Sequence, residues 1–100
     1  MVESALIFEA LRPVTDPELG ISVVELGLIY RAEEVEDAIE VEFTLTYPGC
    51  PMEEELREDI ARTLFRAFPT NKVRIKIVWQ PLWSPERMSE AAKLEFGYPI

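Results

Sequence analysis

One thiol and a scatter of carboxylates carry most of the chemistry this chain can offer. Cys50 is the single cysteine, held in residues 44–55, TLTYPGCPMEEE, between Pro48-Gly49 and Pro51. An alternating apolar run ends just before this turn, and a strongly helical run begins just after it. Unpaired N–H groups at a helix start favour the thiolate, and such sites lower a cysteine pKa from about 8.5 to roughly 3.5–7.5. Glu53 and Glu54 lie within a turn and oppose that shift. A thiolate there can ligate a metal or act as a nucleophile. The plainer alternative is a small turn residue that only fills space.

Asp16, Glu18 and Glu25 form the second feature. Asp16 and Glu25 occupy positions suited to capping a helical turn, whereas Glu18 has no obvious capping task. A mixed thiolate and carboxylate set suits iron or another divalent cation. Thr44 and Thr46 alternate outward on the strand before the turn, as a solvated face would require. Thr46 is also close enough in sequence to hydrogen-bond near the thiol. Trp79, Pro81 and Trp83, with Met88 further on, read as packing residues.

Positioning these groups falls to a short list of elements. Residues 3–11 have Ile7, Ala10 and Leu11 at helical spacing, and Pro13 helps to end that helix. Residues 15–27 read as an ordered loop with one or two helical turns. Asp16 or Thr15 caps a turn at Pro17, Gly20 closes it, and Ser22-Val23-Val24-Glu25 matches a capping box stopped by Gly27. Leu28 to Val35 suits a strand, and Glu36-Asp37 a tight turn. Ile39, Val41, Phe43 and Leu45 then alternate with polar residues, giving the second strand of a hairpin.

Pro51 suits the first position of the next helix, with Glu53, Glu54 and Glu55 at its positive end. Met52, Leu56, Ile60, Ala61, Leu64, Phe65 and Phe68 line its apolar face, and Pro69 stops it. Val73, Ile75, Ile77 and Trp79 alternate with Lys72, Arg74 and Lys76 in a third strand, whose basic face complements Glu40 and Glu42 on a neighbouring strand. A right-handed crossover makes these two strands parallel. Ser84-Pro85 opens a final helix ending near Gly97. The order α-β-β-α-β-α predicts an α+β fold, a two-layer α/β arrangement with a three-stranded mixed sheet, in one domain over residues 1–100.

Composition narrows the partners. A net charge of −9 on 100 residues argues against a nucleic-acid backbone, which requires basic surface. Hydrophobic residues make up 48%, enough for a core. One cysteine forms no internal disulfide, so nothing marks an oxidising compartment. The first thirteen residues lack the basic lead and apolar run of a signal peptide, and no membrane span is expected. The expected setting is cytoplasmic. There is no histidine, the commonest acid/base residue and metal ligand.

Three segments together are more specific: DPELGISVVELGLIY (residues 16–30), LTYPGCPM (45–52) and VWQPLWSPERMSEAAK (78–93). In this order they resemble the MIP18 family, the former DUF59 group. It includes bacterial iron–sulfur assembly factors of the SufT type, the eukaryotic cytosolic targeting factor and PaaD-type members of phenylacetyl-CoA oxygenase operons. The resemblance covers about residues 5–95. It implies an iron–sulfur-assembly-like fold related to prokaryotic KH domains. It also implies a site of Asp16, Glu18, Thr46 and Cys50, with Leu19 beside it. Where the family often has aspartate, this chain has Glu25.

The expected function is therefore a non-enzymatic accessory factor in iron–sulfur protein maturation, with Cys50 as the metal contact. Clusters usually take four ligands, mostly thiolates. One cysteine and no histidine predict a labile cluster or iron, shared between two chains of a homodimer or with a partner. Partners are assembly proteins or apo-clients. The alternatives are an accessory protein of a phenylacetyl-CoA oxygenase-type operon, a cysteine-nucleophile enzyme with Asp16 or Glu18 as base, and a pure interaction module.

Overall fold

The computed structural model describes residues 2–47, 49, 51–69 and 71–96. Helix α1 (Ser4–Leu11) leads through a long ordered loop to the hairpin β1 (Ile29–Val35) and β2 (Ala38–Phe43). Helix α2 (Glu53–Ala67) crosses to β3 (Lys72–Ile77), and the chain ends in a 3-10 turn (Pro85–Arg87) and helix α3 (Glu90–Phe96). The expected α-β-β-α-β-α order is observed, with that single extra turn.

The hairpin forms because Glu36 and Asp37 both adopt positive φ, 50° and 68°. That is the backbone a two-residue turn needs to match the twist of its strands. β2 is central, antiparallel to β1 and parallel to β3. The register sets Glu40 beside Arg74 and Glu42 beside Lys76, as the charge pattern predicts. Arg74 reaches Glu40 at 2.9 Å, and Arg31 on β1 bridges Glu33, Glu40 and Glu42. Arg31 and then Arg74 hold the Glu40 carboxyl below its usual range.

Opposite that charged face, Ile39, Val41 and Phe43 meet Ile7 and Leu11 of α1 and Leu56, Ile60 and Leu64 of α2 in one core cluster. Val14, Ile21, Val23, Leu26 and Leu28 from the long loop join the same cluster. Burying each such side chain contributes about 1.5–3 kcal/mol relative to exposure, which explains why residues 14–28 are ordered without a strand or a long helix.

β3 is an edge strand. Lys72 and Val78 donate their N–H groups to Asp37 and Phe43, so the alternation turns the backbone groups of Val73, Ile75 and Ile77 outward. Arg57 of α2 donates to the Ile75 carbonyl at 2.9 Å and lies over the Phe43 ring.

Several expectations are corrected. β1 begins at Ile29 and not Leu28, and β2 leaves the ladder at Phe43. Pro51 lies in the turn before α2, whose N-cap is Met52. Phe65 is 54% exposed. Leu56, Ile60 and Leu64 repeat every four residues in a narrow stripe, and Phe65 is turned about 100° from Leu64. The last helix is not continuous from Ser84. Met88 takes an extended backbone, φ −66° and ψ 148°, and Ser89 starts the helix afresh by accepting the Ala92 N–H. The expected end near Gly97 lies outside the described residues. Trp79, Trp83 and Met88 pack against the core as anticipated.

Candidate functional site

Asp16 is 2% exposed. Its Oδ1 accepts the N–H groups of Glu18 at 2.8 Å and Leu19 at 3.1 Å, and its carbonyl accepts from Gly20 at 2.7 Å. The expected cap at Pro17 is thus made by Asp16, with Gly20 closing the turn at φ +70°. Glu18 projects from this turn and is exposed.

Main-chain bonds carry this turn to the sheet. Val23 donates to Val14 at 2.9 Å, Leu28 to Val23 at 3.0 Å, and Thr44 to Leu28 at 2.8 Å. The loop bearing Asp16 and Glu18 is therefore tied to the end of β2, where the chain enters the PGCP segment. Thr46 follows in a bend, half-buried. Cys50 and Pro48 lie outside the described residues.

Thr44 departs from expectation. It does not face water but is fully buried, and its hydroxyl has no hydrogen-bond partner among the described residues. Glu25 departs too. Ser22 accepts the Val24 N–H at 3.2 Å, which is the capping half of the box. Glu25 instead bonds the Ser89 hydroxyl and the Arg12 guanidinium. The Ser89 hydroxyl, then Arg12, hold its carboxyl below the usual glutamate range. Glu25 is a clasp between the loop and the start of α3.

The same end of the sheet carries a feature without local sequence signal. Gly27, Ile29, Tyr30, Pro81 and Arg87 line a depression of about 400 Å³. The Tyr30 hydroxyl donates to the Pro81 carbonyl at 2.8 Å, and the Arg87 guanidinium stands 4.7 Å from the Tyr30 ring centre. Trp83 donates its indole N–H to the Leu26 carbonyl at 2.7 Å, holding the two segments together. Tyr30 and Arg87 lie on either side of α2 and two strands in sequence, so neither spacing nor type announces the pair.

The donor set does not fit a closed metal site within one chain. The sequence holds one cysteine and no histidine, and among the described residues no three Cys, Asp or Glu side chains converge. One oxygen of Asp16 is already taken by two backbone donors.

Together these elements form a two-layer α+β domain whose capped acidic loop is tied by main-chain bonds to the end of β2. The chain belongs to the iron–sulfur cluster assembly protein family, whose model matches residues 4–77. It is 36% identical over 92 residues to the Fe-S protein maturation auxiliary factor YitW of Bacillus subtilis, covering 91% of this chain and 90% of that one. It is 36% identical to the Fe-S protein maturation auxiliary factor SufT of Staphylococcus aureus, covering 84% and 97%. An iron-sulfur cluster carrier protein of Deinococcus radiodurans matches 70% of this chain at 36% identity, through only 20% of its own length. The crystal structure of a DUF59 domain from Bacillus anthracis superposes with a TM-score of 0.90 at 36% identity, covering 96% and 92%. No helix among the described residues is long and apolar enough to cross a membrane.

Proposed function

We propose that this protein is a non-catalytic accessory factor in iron–sulfur protein maturation, which presents Cys50 to iron or a cluster in transit. The observation that carries the reading is the main-chain tie from Val14 through Val23 and Leu28 to Thr44. It fastens the Asp16–Glu18 turn to the strand that leads into the thiol segment. Relatives named Fe-S protein maturation auxiliary factors, matched over 90% and 97% of their own length, support it.

One thiolate per chain favours a handover contact over a cage, because a cluster usually takes four ligands. Iron or cluster is then cargo, with its remaining ligands supplied by a second copy, an assembly protein, a client or a small thiol. Asp16 shapes the loop, Glu18 offers a carboxylate at its surface, and Thr46 lines the approach to the turn. The absence of a histidine base disfavours nucleophilic catalysis by Cys50.

Anaerobic titration of iron and sulfide into wild type and Cys50→Ser is the test. Charge-transfer absorption that appears only in wild type is expected. Identical, cluster-free spectra would remove the carrier role. A maturation assay on an iron–sulfur client in cells, with Cys50→Ser as the comparison, then reads whether the thiol is needed at all.

A further inference from the structure

The depression between Tyr30 and Arg87 is a concave surface lined by Gly27, Ile29, Tyr30, Pro81 and Arg87. It is preformed. Tyr30 is anchored to Pro81, Trp83 to Leu26, and the Arg87 backbone presses so closely on Gly27 that a Cβ there would stand 2.4 Å from the Arg87 carbonyl oxygen. Preformed surfaces lose little conformational entropy when a partner binds.

Its chemistry is that of a protein-binding spot. Tyrosine and arginine are the side chains most often found at the energetic centres of interfaces. Leu82, the residue after Pro81 in sequence, is 60% exposed. Arg12, Arg31, Arg57, Arg62 and Arg74 each pair with a carboxylate. Arg87 has no such pair among the described residues and rests only on the Tyr30 ring. Arg66, Lys72, Lys76 and Lys93 also lack a carboxylate partner among the described residues, but of these unpaired cations Arg87 is the one that lies over an aromatic ring at a concave site.

We propose that this depression docks an extended acidic segment of a partner protein, one carboxylate meeting Arg87 and an adjacent apolar side chain meeting Leu82 and Ile29. A carboxylate suits the site better than a phosphate. There is one guanidinium to receive it, and its planar fork matches a carboxylate. The location gives the docking a purpose. Ile29 pairs with Phe43, and Val78 donates to the Phe43 carbonyl, so the depression opens at the strand end that leads to Cys50. The inference rests on the maturation reading for the identity of the partner as an assembly protein or client, but not for the binding itself.

The test uses a fluorescent nonapeptide capped at both ends, Gly-Ser-Leu-Glu-Phe-Asp-Leu-Ser-Gly, and its Gln/Asn counterpart. Anisotropy should show the acidic peptide binding at least tenfold more tightly than the amide version. Arg87→Glu should abolish that preference, and Leu82→Asp should weaken binding several-fold. Lys72→Glu, at the opposite end of β3, should leave it unchanged. Both Arg87 and Leu82 side chains are exposed, and thermal melts confirm that the variants fold. Equal binding of the two peptides, or equal loss on Lys72→Glu, would overturn the proposal. So would a concentration-dependent dimer that Arg87→Glu dissolves, since the occupant would then be a second copy. Cys50→Ser should bind the acidic peptide normally while failing in maturation, so the docking and handover readings stand or fall separately.

Discussion

Ser89 is bonded to Glu25 twice, its N–H to the Glu25 carbonyl at 2.8 Å and its hydroxyl to the Glu25 carboxylate. The pair closes the long loop against the start of α3, and the Arg12 guanidinium completes the clasp from the end of α1. Because the carboxyl is 26% exposed, the contact is partly shielded from water.

The clasp has a pH signature. The Glu25 pKa is lowered, so its stabilisation is complete above the unfolded value near about 4.3 and lost as pH falls through the lower folded value. Glu25→Gln should cost about 1–2 kcal/mol at pH 7. Urea titrations from pH 7 to pH 3 should show the variant and wild type converging at the acid end. A constant gap would mean that the charge contributes nothing.

Asp16 combines a structural task with a suggested site role, and two substitutions separate them. Asp16→Ala removes the acceptor for two backbone N–H groups and should cost about 1–2 kcal/mol. Asp16→Asn keeps an acceptor and should melt within a few degrees of wild type. Maturation activity lost in the Asn variant at unchanged stability would assign the negative charge to the site. Activity retained would leave Asp16 as a cap.

Two glycines at similar φ predict different costs. Gly20 has φ +70° and open space around a built Cβ, so Gly20→Ala should cost only the left-handed backbone penalty, about 1–2 kcal/mol. Gly27 has φ +76°, and its Cβ would collide with the Arg87 carbonyl. Gly27→Ala should cost more than Gly20→Ala, with the excess reading the closeness of the 3-10 turn. Comparable melting temperatures for both would contradict the packing described.

Thr44 carries a buried hydroxyl with no partner among the described residues. Thr44→Val keeps the shape and removes the polar atom, and should stabilise the fold by about 1 kcal/mol. Denaturant midpoints at pH 7 measure it. A destabilised Val variant would show that the hydroxyl has a partner. A more stable Val variant that no longer supports maturation would assign the unpaired hydroxyl to function.

What the residues announced was local or periodic. The Glu36-Asp37 turn, the period of two in β2, and the glutamates at the start of α2 each state their structure within a few positions. Even the β2–β3 pairing was legible, because Glu40 and Glu42 require cations alongside. The Asp16 cap followed from residue type and the proline after it.

Long-range demands were not legible. The chain breaks at Met88 because Ser89 must reach Glu25, a requirement written far upstream. Thr44 is polar by type and core by position, since the main-chain bond to Leu28 brings the loop over it. Phe65 looked buried because a hydrophobic list does not state how wide a stripe the sheet can cover. The Tyr30–Arg87 contact depends on the whole fold being closed.

The outer edge of β3 has a bearing on how the protein behaves at high concentration. Two copies meeting along that strand would bring Lys72, Arg74 and Lys76 against their equivalents, and Arg57 already occupies the outward Ile75 carbonyl. Exposed strand edges are where chains recruit one another into ribbons, and lysines on them are a known deterrent. This edge thereby carries a guard against self-aggregation.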